Sequence, residues 1–345
     1  YEPCWGGPEK NLIDTLNYGD YQFNLHDQET GDLLYSRGFS TLFREWQTTD
    51  EAGSLEKAFH NSIRFPYPVK PVKLEIFRRL RDHSLLKITS FLIDPSHPGI
   101  EKATLPGYKT DSLLVNGPAS TCIDIVILPE GYMKEEMGKF TLDARRLTEH
   151  FFEVEPFKTY RNKFNIRLVF AESLESGTDI PGEGVWKNTV LNSNFYTFGC
   201  ERYLTSPDLW KISDIAAAVP YDQVIILVNS DKYGGGGIYN FYTICTSDNN
   251  ASPGVMVHEF GHAFAGLGDE YYNSDVAYED FYDTRFEPWE PNLTTLNNFD
   301  KKWKDMVPND VPVPTPDFLK YAGKTGAFEG GGYQAEGIYR PQIDC

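Results

Sequence analysis

His258 and His262 stand four residues apart on either side of Glu259, inside the stretch SPGVMVHEFGHAFAGLGDEY at positions 252–271. On a helix that spacing is one turn, so both imidazoles project from the same side. Two neutral imidazoles about 2.0–2.1 Å from a metal ion make half of a zinc site. Glu259 would face the water that such an ion activates, as general base, and not the ion itself. The chemistry these residue types point to is metal-assisted hydrolysis.

The surrounding residues agree with a helix. Ser252 suits the N-cap and Pro253 the first helical position. Met256, Phe260, Ala263 and Leu267 trace a core face, and Gly266 and Gly268 would end the helix and allow a sharp turn. No histidine follows His262, so a nearby downstream ligand has to be a carboxylate. The metzincin spacing places a third ligand six residues past the second histidine. Here Gly268 fills that position, and Asp269 follows in a turn one residue longer. Asp269 is the expected ligand and Glu270 its neighbour or substitute. A later carboxylate such as Glu279 or Glu329 is the alternative.

The rest of the chain sets bounds on this chemistry. Fifty acids against 32 bases leave a net charge of -18, which disfavours nucleic acid as a partner. No run of about 18 apolar residues predicts a membrane span. The sequence begins at Tyr1 without a signal-like segment, so the expected location is secreted or cell-envelope, with any export signal outside these residues. The five cysteines are scattered and form no CxxC pair, which argues against a cysteine-based zinc site. Cys200 and Cys245 are candidates to pair. A monomer is expected.

Positions 21–26, 33–36, 62–67, 72–77 and 85–93 read as short strands parted by Pro and Gly turns, which predicts an N-terminal β-sandwich over residues 1–104. His26, His60, His83 and His97 are read there as packing or surface residues. Residues 106–118 read as a linker into an α/β unit over 105–345 with a mixed sheet. Strands are predicted at 122–129, 165–171, 223–229 and 238–246. A helix is predicted through Met133, Met137, Phe140, Ala144, Leu147 and Phe151. The glycine run 234–237 precedes the last of these strands, the expected edge of a cleft. There Gly236, Gly237, Ile238 and Tyr239 would bind an extended peptide by strand addition. A plain hairpin loop is the competing reading. Asp275, Glu279, Asp280 and Asp283 lack the alternation of a calcium loop, so Ca2+ is unsupported and a solvated acidic loop is expected.

Three stretches together resemble the immunoglobulin-A peptidase family of zinc metallopeptidases, a metzincin-like group in gut bacteria. They are HEFGHAFAGLGDEY at 258–271, GGGGIYNFY at 234–242 and FEGGGYQAEGIYRPQIDC at 328–345. The resemblance covers about residues 105–345, and the N-terminal β unit is similar to the accessory domain of such proteins. It implies a zincin fold with one catalytic zinc, and a tyrosine donor to the oxyanion, for which Tyr333 and Tyr339 are candidates. It also implies a methionine turn beneath the metal. Met306 is the only methionine after the motif, so either it serves or the turn lies beyond Cys345.

The expected function is that of a zinc endopeptidase acting on extracellular protein or peptide substrates. Two alternatives stand beside it. One is an adhesion module recognising host protein or glycan with a vestigial zinc site. The other is a zinc amidase acting on cell-wall peptide.

Overall fold

The computed structural model describes residues 2, 5, 7–102, 107–272 and 281–343. Cys4, Cys345, Asp275, Glu279, Asp280 and the division expected at 104/105 lie outside the described residues.

The N-terminal region is built on strands β1 (Tyr21–Asp27) and β2 (Leu33–Phe39), a short helix α1 (Leu42–Trp46), and strands β3 (Val72–Arg79) and β4 (Leu85–Ile93). All pairs are antiparallel, in the order β2-β1-β3-β4. Period-2 alternation turns Tyr21, Phe23 and Leu25 to one face, where they pack with Tyr35, Phe39, Val72 and Leu74. The expected sandwich is corrected here: among the described residues this region holds one sheet. The opposing layer is irregular chain carrying Trp5, Leu12, Ile63 and Phe65, with Phe43 of α1. Residues 62–67 form no strand; Pro66 and Pro68 have no N–H to give a ladder, so the stretch packs as coil.

The central sheet uses β5 (Lys109–Leu114), β6 (Ile123–Glu130), β7 (Phe164–Phe170), β8 (Gln223–Val228), β9 (Gly235–Ile238) and β10 (Tyr242–Thr246), in the order β5-β7-β6-β8-β10-β9. Its middle is parallel and each edge strand runs antiparallel to its neighbour, so the sheet is mixed as expected. Helices α2 (Met137–Phe151) and α4 (Ser252–Ala265) cover one face, through Phe140, Leu147, Met256 and Phe260 against Ile125, Ile127, Ile225 and Leu227. Helix α3 (Leu209–Ala216) covers the other, where Ile212 and Ile215 meet Val126, Leu128 and Ile226. Burial on both faces explains why β6 and β8 read as continuous apolar runs.

Three expectations change here. The stretch 106–118 is no plain linker, since it contains β5; an exposed edge strand needs only backbone pairing, so its polar side chains give no strand signal. The predicted strand 238–246 is two antiparallel strands, because the chain reverses at Asn240 with φ 57°. Helix α3 follows Leu209, Ile212, Ile215 and Ala216 at helical spacing and was not anticipated. A final hairpin, β11 (Phe328–Gly331) and β12 (Gln334–Arg340), completes the fold. Among the described residues no helix is long and apolar enough to cross a membrane.

Glu45 ties the N-terminal region to the rest, and a second carboxyl, Glu290, is buried within the C-terminal part. Burial lifts Glu45 of α1 to about 7, against the Tyr203 hydroxyl that donates to it at 2.5 Å. Burial likewise lifts Glu290 to about 7, beside the Tyr282 hydroxyl at 2.9 Å. Both groups bind a proton more tightly folded than unfolded. Their contribution is therefore present below about pH 4.5 and is lost as the pH rises through 7. The metal-free protein is expected to lose melting temperature between pH 5 and pH 8, and Glu45→Gln to flatten that slope. Scanning calorimetry across this range checks both.

Candidate metal centre

Helix α4 begins one residue earlier than the cap signals indicate. Ala251 is the N-cap and Ser252 is already helical and buried. The entry turn is held instead by Asn249, whose side chain accepts the Ala251 N–H at 2.9 Å. Met256, Phe260 and Ala263 bury the core face. Leu267 lies beyond the helix and is exposed. Gly266 closes the helix in the left-handed region at φ 65°, where a side chain would be strained. Its Cβ would also sit 2.9 Å from the Trp289 ring.

That closure carries the chain back under the two histidines. His258 Nε2 and His262 Nε2 are 3.0 Å apart, and Asp269 Oδ1 lies 3.1 Å and 3.2 Å from them. Among the described residues these three form the one group of side chains placed to hold a metal ion. Ligand atoms bound at 2.0–2.1 Å in a tetrahedron are about 3.3 Å apart, so the triangle is close to the size that zinc requires. Asp269 Oδ1 is buried and makes no properly angled hydrogen bond, as expected of an oxygen facing a cation. His262 Nδ1 lies 2.5 Å from the Leu267 carbonyl, so it donates there and leaves Nε2 as the lone-pair nitrogen.

Electrostatics describe the same preference. Burial opposes charge on His262, yet the Asp269 carboxylate raises its pKa to about 10. Burial would raise Asp269, but the His262 charge and the close approach of both imidazoles hold it well below the usual range. Without metal the site thus keeps a proton that a bound cation displaces. Glu259 is raised, chiefly by burial, with both histidines pulling against it.

Two neighbours fix the Asp269 turn. Asn292 accepts the Gly268 N–H at 2.8 Å and donates at 2.8 Å to both the Gly268 carbonyl and Glu270 Oε1. Glu270 therefore points to Asn292 and stands outside the cluster. From the other side, the β11–β12 turn lays Gly332 and Tyr333, both at positive φ, against residues 269–271. The Gly332 N–H bonds the Asp269 carbonyl at 2.7 Å, and the Tyr333 hydroxyl donates to Asp269 Oδ2.

The remaining expected residues divide. Tyr339 packs with Phe299 and Trp303 and its hydroxyl meets Glu329, so it is not brought to the cluster. Glu329 is engaged within its own hairpin, which removes it as third ligand. Met306 is 66 % exposed on a surface turn, so it does not floor the site. Cys200 and Cys245 are both free; Cys245 faces the core beneath α4. The glycine run is itself the edge strand, for a reason inside the fold. A Cβ at Gly235 would meet the Glu259 side chain at 2.9 Å, and one at Gly237 the Glu259 carbonyl at 2.3 Å. Only glycine lets β9 lie against α4. Asn292, Tyr271 and Arg202 were missed. The Tyr271 ring lies parallel to His258 at 6.4 Å, and Arg202 stands over Tyr271. None carries a local sequence signal.

The chain matches the family model described as IgA Peptidase M64 over residues 112–320, more than half its length. The chain belongs to the IgA peptidase M64 family. The model described as Peptidase M64 N-terminus matches residues 1–90, so the family resemblance extends to the N-terminal sheet. As an M64 member the chain is a metallopeptidase, a hydrolase that requires a metal and acts on protein substrates. No curated protein matches it significantly.

Proposed function

We propose that the protein is a zinc endopeptidase of extracellular protein substrates. In this reading residues 105–345 carry the chemistry on a zincin-type α/β scaffold, and residues 1–104 are an accessory unit. The observation that carries it is the triangle of His258, His262 and Asp269, with Asp269 Oδ1 buried and unsatisfied between two imidazoles. Zinc, when bound there, supplies a Lewis acid that polarises the peptide carbonyl and acidifies water.

Each side chain then has one task. His258 and His262 would hold the ion through Nε2, and Asp269 through Oδ1. Glu259, on the same turn of α4, takes the proton of the attacking water and delivers it to the leaving amine nitrogen. Tyr333, its pKa raised well above its ordinary value, chiefly by burial, keeps its proton at neutral pH and so remains a donor. It steadies Asp269, and turned away from Asp269 Oδ2 its one hydroxyl proton would be donated to the developing oxyanion. The test is hydrolysis of unfolded casein by the zinc-loaded protein with and without excess chelator. Cleavage that chelation does not affect would contradict the reading.

Asn292 gives a milder prediction. Asn292→Ala frees the 268–270 turn while leaving every proposed ligand in place. Zinc affinity should fall by about 10–100-fold, the usual cost of removing a partner that orients a ligand. Competition with a chromogenic chelator measures it, and an unchanged affinity would deny Asn292 this role.

A further inference from the structure

The edge strand beside the metal centre has little free edge. In an antiparallel pair alternate residues turn their N–H and C=O outward. Gly234 faces inward, since its carbonyl accepts the Thr246 N–H at 3.4 Å. The outward positions are then Gly235, Gly237 and, one step past the strand, Tyr239. Gly235 is taken: its N–H bonds the Arg202 carbonyl at 3.2 Å and its carbonyl accepts the Leu204 N–H at 3.0 Å. The Tyr239 carbonyl is also taken, by the Ser40 N–H at 3.1 Å. Gly237 alone has no outward partner among the described residues. It lies against the proposed catalytic helix, where a Cβ would be 3.0 Å from the Cβ of His262.

One plug belongs to the N-terminal region and the other, the 202–204 segment, touches it. Ser40 follows β2, and the same corner is locked by Arg37, which donates to Asn240 Oδ1 at 2.8 Å, and by Asn240, which donates to the Gly38 carbonyl at 2.7 Å. At the other end Tyr203, paired with Gly235, donates its hydroxyl to Glu45 of α1 at 2.5 Å.

We propose that the N-terminal region is a fixed part of the substrate cleft, which together with the 202–204 segment closes the edge strand at both ends so that Gly237 alone pairs with an extended peptide backbone. The inference rests on the peptidase reading and narrows it. Substrates need be extended over only one ladder residue, which suits exposed loops and linkers, whereas an open edge would favour long strands. It also sets a single register between peptide and metal centre.

The test is an N-methyl scan. A casein peptide cleaved by the zinc-loaded full chain is resynthesised with each backbone amide methylated in turn. Apart from the scissile amide, one position should lose about tenfold or more in kcat/KM, while the others stay within about threefold. Ser40→Pro, which removes one plug, should add a second sensitive position two residues away; the scan of the wild type stands even if that variant fails to fold. Two or more further sensitive positions at alternate residues in the wild type would overturn the inference while leaving the peptidase reading intact. A zinc-loaded chain that cleaves no casein peptide at all would overturn both.

Discussion

Glu259→Ala is expected to abolish peptide hydrolysis while leaving the metal bound. The side chain lies outside the His258–His262–Asp269 triangle, so its loss removes no ligand. It removes the one carboxylate on the motif helix placed to move protons between water and the leaving amine. Proton transfer by a positioned side chain is worth about 10²–10⁴-fold, so kcat/KM should fall by about 10³-fold, roughly 4 kcal/mol of barrier. Zinc content should stay at the wild-type level. Hydrolysis within a factor of about three of wild type would assign the proton transfer to another group.

His262→Ala acts on the other half of the site. His262 is held by the Leu267 carbonyl on one nitrogen and offers the other to the cluster. Removing it leaves His258 and Asp269, too few for a catalytic zinc, which takes three protein ligands. Zinc affinity should fall further than the 10–100-fold typical of an orienting partner, and hydrolysis should go with it. A thermal readout separates this from misfolding. Zinc at about 100 times its dissociation constant should stabilise the wild type by about 2.7 kcal/mol and raise its melting temperature. The variant should fold but show no such rise. A zinc-dependent rise equal to that of wild type would remove His262 from the ligand set.

The grouping of His258, His262 and Asp269 was largely legible in the sequence because it is local. Two histidines one turn apart, glycines that end the helix and a carboxylate just after the turn are all encoded within 12 residues, from His258 to Asp269. The parallel core was legible for a similar reason, since β6 and β8 are apolar along their length. What failed depends on partners distant in sequence. Asn292 orients Glu270 from 22 residues away, and Glu45 reaches Tyr203 across 158. The N-terminal sheet read as half of a sandwich, because alternation reveals a buried face without showing whether a second sheet or irregular chain covers it. Met306 was considered on residue type alone, and its exposure sets it aside. The glycine run was read as the approach to an edge strand, whereas it forms most of that strand, and its composition reflects the close approach of helix α4.

The most direct test of the account is a zinc titration of activity. The protein is stripped with chelator, shown to be inactive, and zinc is added back at neutral pH while casein hydrolysis is followed. The account predicts activity rising in proportion to zinc and levelling at about one ion per chain, the number one His–His–Asp cluster can hold. A stripped protein that still hydrolyses casein, or one that stays inactive at every zinc level while remaining folded, would contradict it.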